Sequence, residues 1–277
     1  MTITAIFGDM HNREVVVRDL FDKIGLIDSN GNRNPGFHTI QLGDLLSLGY
    51  GEQEAEFLKW VRQFIDEQLI GNHELPFFTS YPDLVAFQGM EARDIVAEQM
   101  IRSEFNKAYM LEEEPNLWKA ATHVGKWLIT HAGLSVALQR DELKVIGKDA
   151  EYIANLLNTE WRKCVEDRSA DPLFLHAGEH NGGIFWHRLN YLRAGYQSCH
   201  VPQIVGHTPW ADKMCPPAIQ NKDSNLWCID TPGGCAVLLT EDDGETFELV
   251  QSDYEVLYGA GRVRGTIINR HTKEEVR

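Results

Sequence analysis

The sequence predicts an α/β protein, a layered sandwich in which helices cover a largely parallel sheet. Three observations predict it. Six short apolar runs each stop abruptly at a polar residue, stretches of helical apolar spacing lie between several of them, and the chain from Val201 onward is β-rich. Strands alternating with helices imply a mostly parallel sheet with helices on its faces.

The runs come in order. Thr4-Ala5-Ile6-Phe7 leads into Gly8-Asp9-Met10-His11, and Thr39-Ile40-Gln41-Leu42 into Gly43-Asp44. Gln68-Leu69-Ile70 leads into Gly71-Asn72-His73-Glu74, and Trp127-Leu128-Ile129-Thr130 into His131-Ala132-Gly133. Gln203-Ile204-Val205 leads into Gly206-His207-Thr208, and Leu226-Trp227-Cys228-Ile229 into Asp230-Thr231. Short runs of this kind, closed by Gly and Asp, read as buried strands. Apolar residues at Val16, Val17, Leu20, Phe21 and Ile24 predict a helix over Glu14 to Ile24. Phe57, Leu58, Val61, Phe64 and Ile65 predict another from Gln53 to Glu67, and further helices are expected over Leu84 to Tyr109 and Asp149 to Val165. A hairpin is expected from Trp118–Ala121 and Lys126–Thr130 about His123-Val124-Gly125. A second is expected from Cys235–Thr240 and Thr246–Gln251 about Asp242-Asp243-Gly244, which makes a second sheet reasonable.

Composition bounds the function. A chain of 277 residues with 43% hydrophobic and 24% charged content is an ordinary globular protein, read here as one continuous domain over 1–277. A formal charge of −15 argues against an extended nucleic-acid face, which needs Lys and Arg against phosphates. Bound cations can still make one pocket positive. Five scattered cysteines without a C-x-x-C pair fit a reducing compartment better than a disulfide framework. No apolar run is long enough to span a membrane, and little chain precedes Gly8 for a signal peptide, so a cytoplasmic protein is expected.

In parallel sheets, ligands bind beyond the carboxyl ends of the strands. The residues expected there are Asp9, His11, Asp44, Asn72, His73, His131, His207 and Asp230. Carboxylate, amide oxygen and imidazole without thiolate suit manganese, iron or zinc in a reactive site. A single Asp after a strand is more often a helix cap than a ligand. The repeated pattern is what carries the metal reading.

That order of motifs, Gly-Asp-x-His, Gly-Asp, Gly-Asn-His-Glu, His-Ala-Gly and Gly-His-Thr, resembles the calcineurin-like metallophosphoesterases over about residues 3 to 240. Within them it is most similar to the phosphoprotein-phosphatase-like branch, which includes diadenosine tetraphosphatases and bacterial and phage phosphatases. The resemblance implies an α/β/β/α sandwich with two central mixed β-sheets, a helical insert at about 76–115 and a pocket rim at about 140–200. It implies two divalent ions (manganese, iron or zinc, with manganese expected to serve in vitro). Asp9, His11 and His207 would hold the first ion together with Asp44, which would bridge to a second held by Asn72 and His131. A hydroxide between the ions would attack phosphorus in line, and His73 would protonate the leaving oxygen. Asn72 and His73 would also touch the phosphate, with Arg188 of Trp186-His187-Arg188 a further contact. Glu74, Ser47 and Asp230 would stand behind the ligands and orient them.

Departures from the family pattern bear on the substrate. The second motif reads Gly43-Asp44-Leu45-Leu46-Ser47-Leu48-Gly49, with Ser47 at the place of an Asp that supports the histidine and Leu48 at the place of a phosphate-gripping Arg. Asn12 stands where Gly is usual. The expected partner is a small phosphorylated molecule, a nucleotide or a dinucleotide polyphosphate. The alternatives are nucleic-acid ends, a phosphoprotein, or an impaired metal-binding module.

Three readings stay open. Asp230 either backs His207 or forms a turn with Pro232-Gly233-Gly234. His176, His180 and His187 form a polar loop at the pocket mouth or a third metal site. Phe77, Phe78 and Tyr81 stack on a base or anchor the following helix. The tail with Arg262, Arg264, Arg270, Lys273 and Arg277 reads as a solvated end, and the oligomeric state is not legible.

Overall fold

The structure, a computed structural model, describes residues 2–46, 52–75, 118–135, 143–166, 183–187, 201–208, 219–221, 226–230, 234–240, 248–257, 266–269 and 271–275. The first half supplies β1 (Ile3–Phe7), α1 (Glu14–Ile24), β2 (Phe37–Gln41), α2 (Glu52–Val61) and β3 (Glu67–Leu69). Then come β4 (Trp118–Lys119), β5 (Ala121–Val124), β6 (Trp127–Thr130) and α3 (Ala150–Glu166). The remainder is all strand: β7 (Gln203–Val205), β8 (Ile219–Asn221), β9 (Leu226–Cys228), β10 (Cys235–Thr240), β11 (Glu248–Gln251), β12 (Tyr254–Leu257) and β13 (Thr266–Asn269).

Two mixed sheets result, as expected. The six-stranded sheet runs β11-β10-β1-β2-β3-β4, and the five-stranded sheet runs β5-β6-β7-β9-β8. β1, β2, β3 and β4 are mutually parallel, while β10 lies antiparallel to β1 and β11. In the other sheet β6, β7 and β9 are parallel, with β5 and β8 antiparallel beside them. The tips of β1, β2 and β3 therefore share one edge, and those of β6, β7 and β9 share another. That is what the site requires.

Strand alternation builds the layers. Ile6, Ile40, Leu69, Ile129, Ile204 and Val237 form one buried cluster drawn from both sheets. Their neighbours Ala5 and Phe7 turn instead toward the helices, where Phe7 meets Phe21 of α1 edge-on at 5.0 Å. α3 covers β5 and β6. It opens on Asp149, whose carboxylate accepts the Tyr152 N–H at 2.8 Å as a helix cap. α1 closes on Gly25 at φ 74°, a left-handed stop that glycine adopts freely.

Two boundaries are corrected. The helix expected to reach Glu67 ends at Val61. Phe64 and Ile65 are buried, but in a tightened turn, because Asp66 is pulled onto β2: its carboxylate accepts the Thr39 N–H at 2.8 Å. Glu67 then starts β3. The first hairpin is also shifted. Trp118–Lys119 belongs to the other sheet beside β3, and the hairpin pairs Ala121–Val124 with Trp127–Thr130 about Gly125, φ 52°. Asn158 of α3 braces the crossing between sheets, accepting the N–H groups of Ala120 and Ala121 at 2.9 and 3.1 Å.

The second hairpin pairs β10 with β11 as expected, although β11 starts at Glu248 and the Asp242-Asp243-Gly244 turn lies outside the described residues. So do the Leu84–Tyr109 helix, the 76–115 insert and most of the 140–200 rim. Among the described residues no helix is long and apolar enough to cross a membrane. Cys164, Cys228 and Cys235 are buried. Lys273, Glu274 and Glu275 of the tail are exposed.

Candidate metal centre

The strand tips converge. Asp9, Asp44, Asn72, His131 and His207 are all buried, and His11 and His73 stand beside them, partly exposed. Asp9 follows β1 and reaches across to the second sheet, where both its oxygens lie 3.2 Å from the His207 N–H. Gly206 must be glycine at this crossing, since a Cβ there would collide with Asp9 Oδ1.

Asp44 stands at the centre. Its Oδ2 faces His11 Nε2 at 3.9 Å and His73 Nε2 at 3.8 Å. Its Oδ1 faces His131 Nε2 at 3.4 Å. Asp9 Oδ2 lies 3.9 Å from His11 Nε2 on the first side. On the second side, His131 Nε2 is 3.1 Å from Asn72 Oδ1 and 3.2 Å from His207 Nδ1. One carboxylate thus separates two donor sets, and Asp44, His131 and His207 group tightly as one of them. The His207 ring lies beside His131, and its backbone N–H meets Asp9.

The histidines are oriented by carbonyls. His131 Nδ1 lies 3.0 Å from the Leu42 carbonyl and His11 Nδ1 3.3 Å from the Leu46 carbonyl. A carbonyl cannot donate, so Nδ1 carries the hydrogen and Nε2 presents a lone pair in the neutral ring. The His131 lone pair then faces a carboxylate oxygen and an amide oxygen. Acceptors that converge without hydrogens between them fit a cation, and second-partner carbonyls of this kind accompany metal-binding histidines.

The electrostatics agree. Burial raises the Asp9 carboxyl well above its ordinary range, and the Asp230 and Asp44 carboxylates raise it further, against the His207 N–H. Burial holds His11 well below the usual imidazole range, with His73 and the Arg13 guanidinium adding to the effect. A divalent ion would offset the first shift and suit the second, since cations favour ionised carboxylates and neutral imidazoles. The residues present fit divalent ions.

Behind the ligands lie groups that the motifs did not reveal. Gln41, 0% exposed, gives its Nε2 to the Gly43 carbonyl at 2.7 Å and takes the Gly43 N–H at 2.8 Å. Gln68 in turn donates to Gln41. Gln203 holds Leu134 on both sides, at 2.9 and 3.0 Å, and so fixes the chain after His131. Polar residues in otherwise apolar strands were the available signal. Arg13 lies outside the motifs, although its charge bears on both Asp9 and His11. Trp186 sits edge-on to His207, ring centres 6.0 Å apart.

Glu74 is fully buried beneath the loops. Asp230 is buried near enough to Asp9 to act on its charge. His187 is buried, and burial lowers its imidazole to about 4. Ser47, Leu48, Arg188, Phe77, Phe78, Tyr81, His176 and His180 lie outside the described residues.

No family model matches the chain, and no curated protein matches it in sequence. Solved structures do. A cold-active protein-tyrosine phosphatase of a psychrophilic Shewanella species is similar at TM-score 0.61 and 22% identity, over 91% of this chain and 81% of its own. A hypothetical protein from Pyrococcus horikoshii is similar at TM-score 0.51 and 10% identity, over 92% of this chain and 89% of its own. A protein serine/threonine phosphatase from Saccharomyces cerevisiae covers 95% of this chain and 82% of its own at 14% identity and TM-score 0.48. The chain shares the α/β fold of the cold-active phosphatase.

Proposed function

We propose that this chain is a metal-dependent phosphoesterase holding two divalent ions, one on each side of Asp44. One observation carries the reading: the two oxygens of a single buried carboxylate face separate donor sets, His11 with Asp9 and His131 with Asn72 and His207. Two ions bridged in this way, about 3.5–4 Å apart, neutralise charge on a phosphoryl group and acidify water. Asp9 and His11 hold one side and Asn72, His131 and His207 the other. His73, partly exposed and 3.8 Å from Asp44 Oδ2, would give a proton to the leaving oxygen. Manganese, iron and zinc all suit the donor set.

The substrate is a small phosphorylated molecule, a nucleotide or a dinucleotide polyphosphate. The formal charge of −15 disfavours a long polyanion but leaves terminal phosphates accessible. p-Nitrophenyl phosphate and bis-p-nitrophenyl phosphate, assayed with and without Mn2+, separate monoesterase, diesterase and inert protein. Turnover should need added metal, and Asp44→Asn should lower it by about a hundredfold or more, at least about 2.7 kcal/mol of barrier. A chelator-resistant rate, or full activity in Asp44→Asn, would remove the proposal. A screen of dinucleotide polyphosphates, phosphotyrosine and phosphoserine peptides and RNA ends then identifies the substrate.

A further inference from the structure

β1 and β2 stop together, with Phe7 paired to Gln41. Beyond them Gly8-Asp9 and Gly43-Asp44 leave the sheet side by side, and there the Gln41 side chain links the two. Its Nε2 gives one hydrogen to the Gly8 carbonyl at 3.3 Å and the other to the Gly43 carbonyl at 2.7 Å. Its Oε1 takes the Gly43 N–H at 2.8 Å and a hydrogen from Gln68. Carbonyls cannot donate, so the amide has only this orientation. Two hydrogens and two lone pairs are all that an amide offers, and all four are used. A carboxylate has no hydrogens to give and a hydroxyl has one, while asparagine is a methylene shorter. The set of bonds therefore selects glutamine, at a buried strand position where an unsatisfied amide would be costly.

The two loops carry carboxylates that converge. Asp9 Oδ2 and Asp44 Oδ2 each lie 3.9 Å from His11 Nε2. Like charges brought to one point repel, and without a cation that repulsion acts to part the loops. Further out, the Asp44 carbonyl takes the Met10 and His11 N–H groups. At the base, Gln41 ties the peptide ahead of Asp9 to the peptide ahead of Asp44. Resting on the two-metal reading, we propose that Gln41 is a positioning residue whose amide fixes the spacing of the Asp9 and Asp44 loops, so that both carboxylates meet the same ion. Its bonds are committed to backbone groups and Gln68, so it acts through the ligands and touches neither ion nor substrate.

Co2+ titration of the metal-free full chain, followed by calorimetry and visible absorption, tests this on wild type, Gln41→Met and Gln41→Glu. The first substitution keeps the length and loses all four bonds, and the second keeps only the acceptor side. Wild type should take up two Co2+. Each folded variant should lose about tenfold or more in affinity for at least one ion, as changes behind metal ligands do, with an altered d–d spectrum. A part in stability alone would lower the melting temperature and leave affinity and spectrum as in wild type, and that result would overturn the inference. A wild-type chain that binds fewer than two Co2+ removes the two-metal reading itself, and this inference with it. If neither variant folds, the side-chain amide protons of Gln41 in metal-free wild type decide, followed by NMR. They should exchange slowly without metal, and exchange at the rate of a free amide would overturn the proposal.

Discussion

Four of the six described non-glycine residues with left-handed backbones lie where the chemistry is expected. His11, Asn12, Asp44 and His207 all have left-handed backbones, at φ 46°, 56°, 52° and 64°. Three of the four are proposed ligands. A left-handed residue at a strand tip turns the chain sharply, so that side chain and carbonyl can both serve the crevice. The Asp44 carbonyl accepts the Met10 and His11 N–H groups at 3.1 and 2.9 Å while its carboxylate faces the other donors.

The identities of these residues were legible because metal donors following Gly form recognisable motifs. Their conformation was not, since nothing in Gly43-Asp44 says which residue bends. The glycines beside them were legible as turn residues, but their steric reason is visible only in space. A Cβ on Gly71 would run into the Asp44 backbone and carboxylate. Gly71→Ala is expected to destabilise the metal-free protein by about 1–3 kcal/mol, the usual cost of overpacking. It should also weaken Mn2+ binding. Thermal unfolding and calorimetry measure both, and a variant unchanged in each would contradict the packing described.

Among the elements, apolar periodicity placed β1, α1, α3 and β10 well because each buries a continuous face. It failed where a polar side chain overrode the pattern. α2 stops short of Phe64 because Asp66 is drawn to Thr39, and a helix continued through Asp66 would release that bond. The Trp118–Ala121 run divides between two sheets because Asn158 takes the peptide N–H groups at its bend. Sequence spacing carries no trace of a partner so many residues away.

β3 opens on another such long-range contact. Burial raises the Glu67 carboxyl, but bonds from His38, Lys119 and Thr122, with the charge of Lys119, bring it down to about 2. The folded value lies below the ordinary 4.5. This stabilisation is therefore complete above about pH 4.5 and fades as pH falls toward 2. After allowance for solvent screening it amounts to about 1–2 kcal/mol. Urea unfolding of wild type and Glu67→Gln should differ by that much at about pH 6, less at about pH 3, and converge only at about pH 2. A difference that stays constant with pH would contradict the account.

For the whole molecule, the decisive arrangement is two parallel triplets, β1-β2-β3 and β6-β7-β9, whose carboxyl ends meet. Their tips bring the buried carboxylates Asp9, Asp44 and Asp230 close together in a chain of formal charge −15. That concentration of negative charge favours divalent cations. The sandwich and its two mixed sheets were legible from strand order and from the resemblance. The meeting of the His207 ring with His131 and of its N–H with Asp9 was not, because it depends on how the second sheet leans on the first.

Anomalous diffraction from Mn2+-loaded crystals tests the central claim most directly. Two peaks are predicted, about 3.5–4 Å apart with the Asp44 carboxylate between them. Asp9 and His11 should ligate one, and Asn72, His131 and His207 the other. A single peak, or two peaks that do not share Asp44, would contradict it.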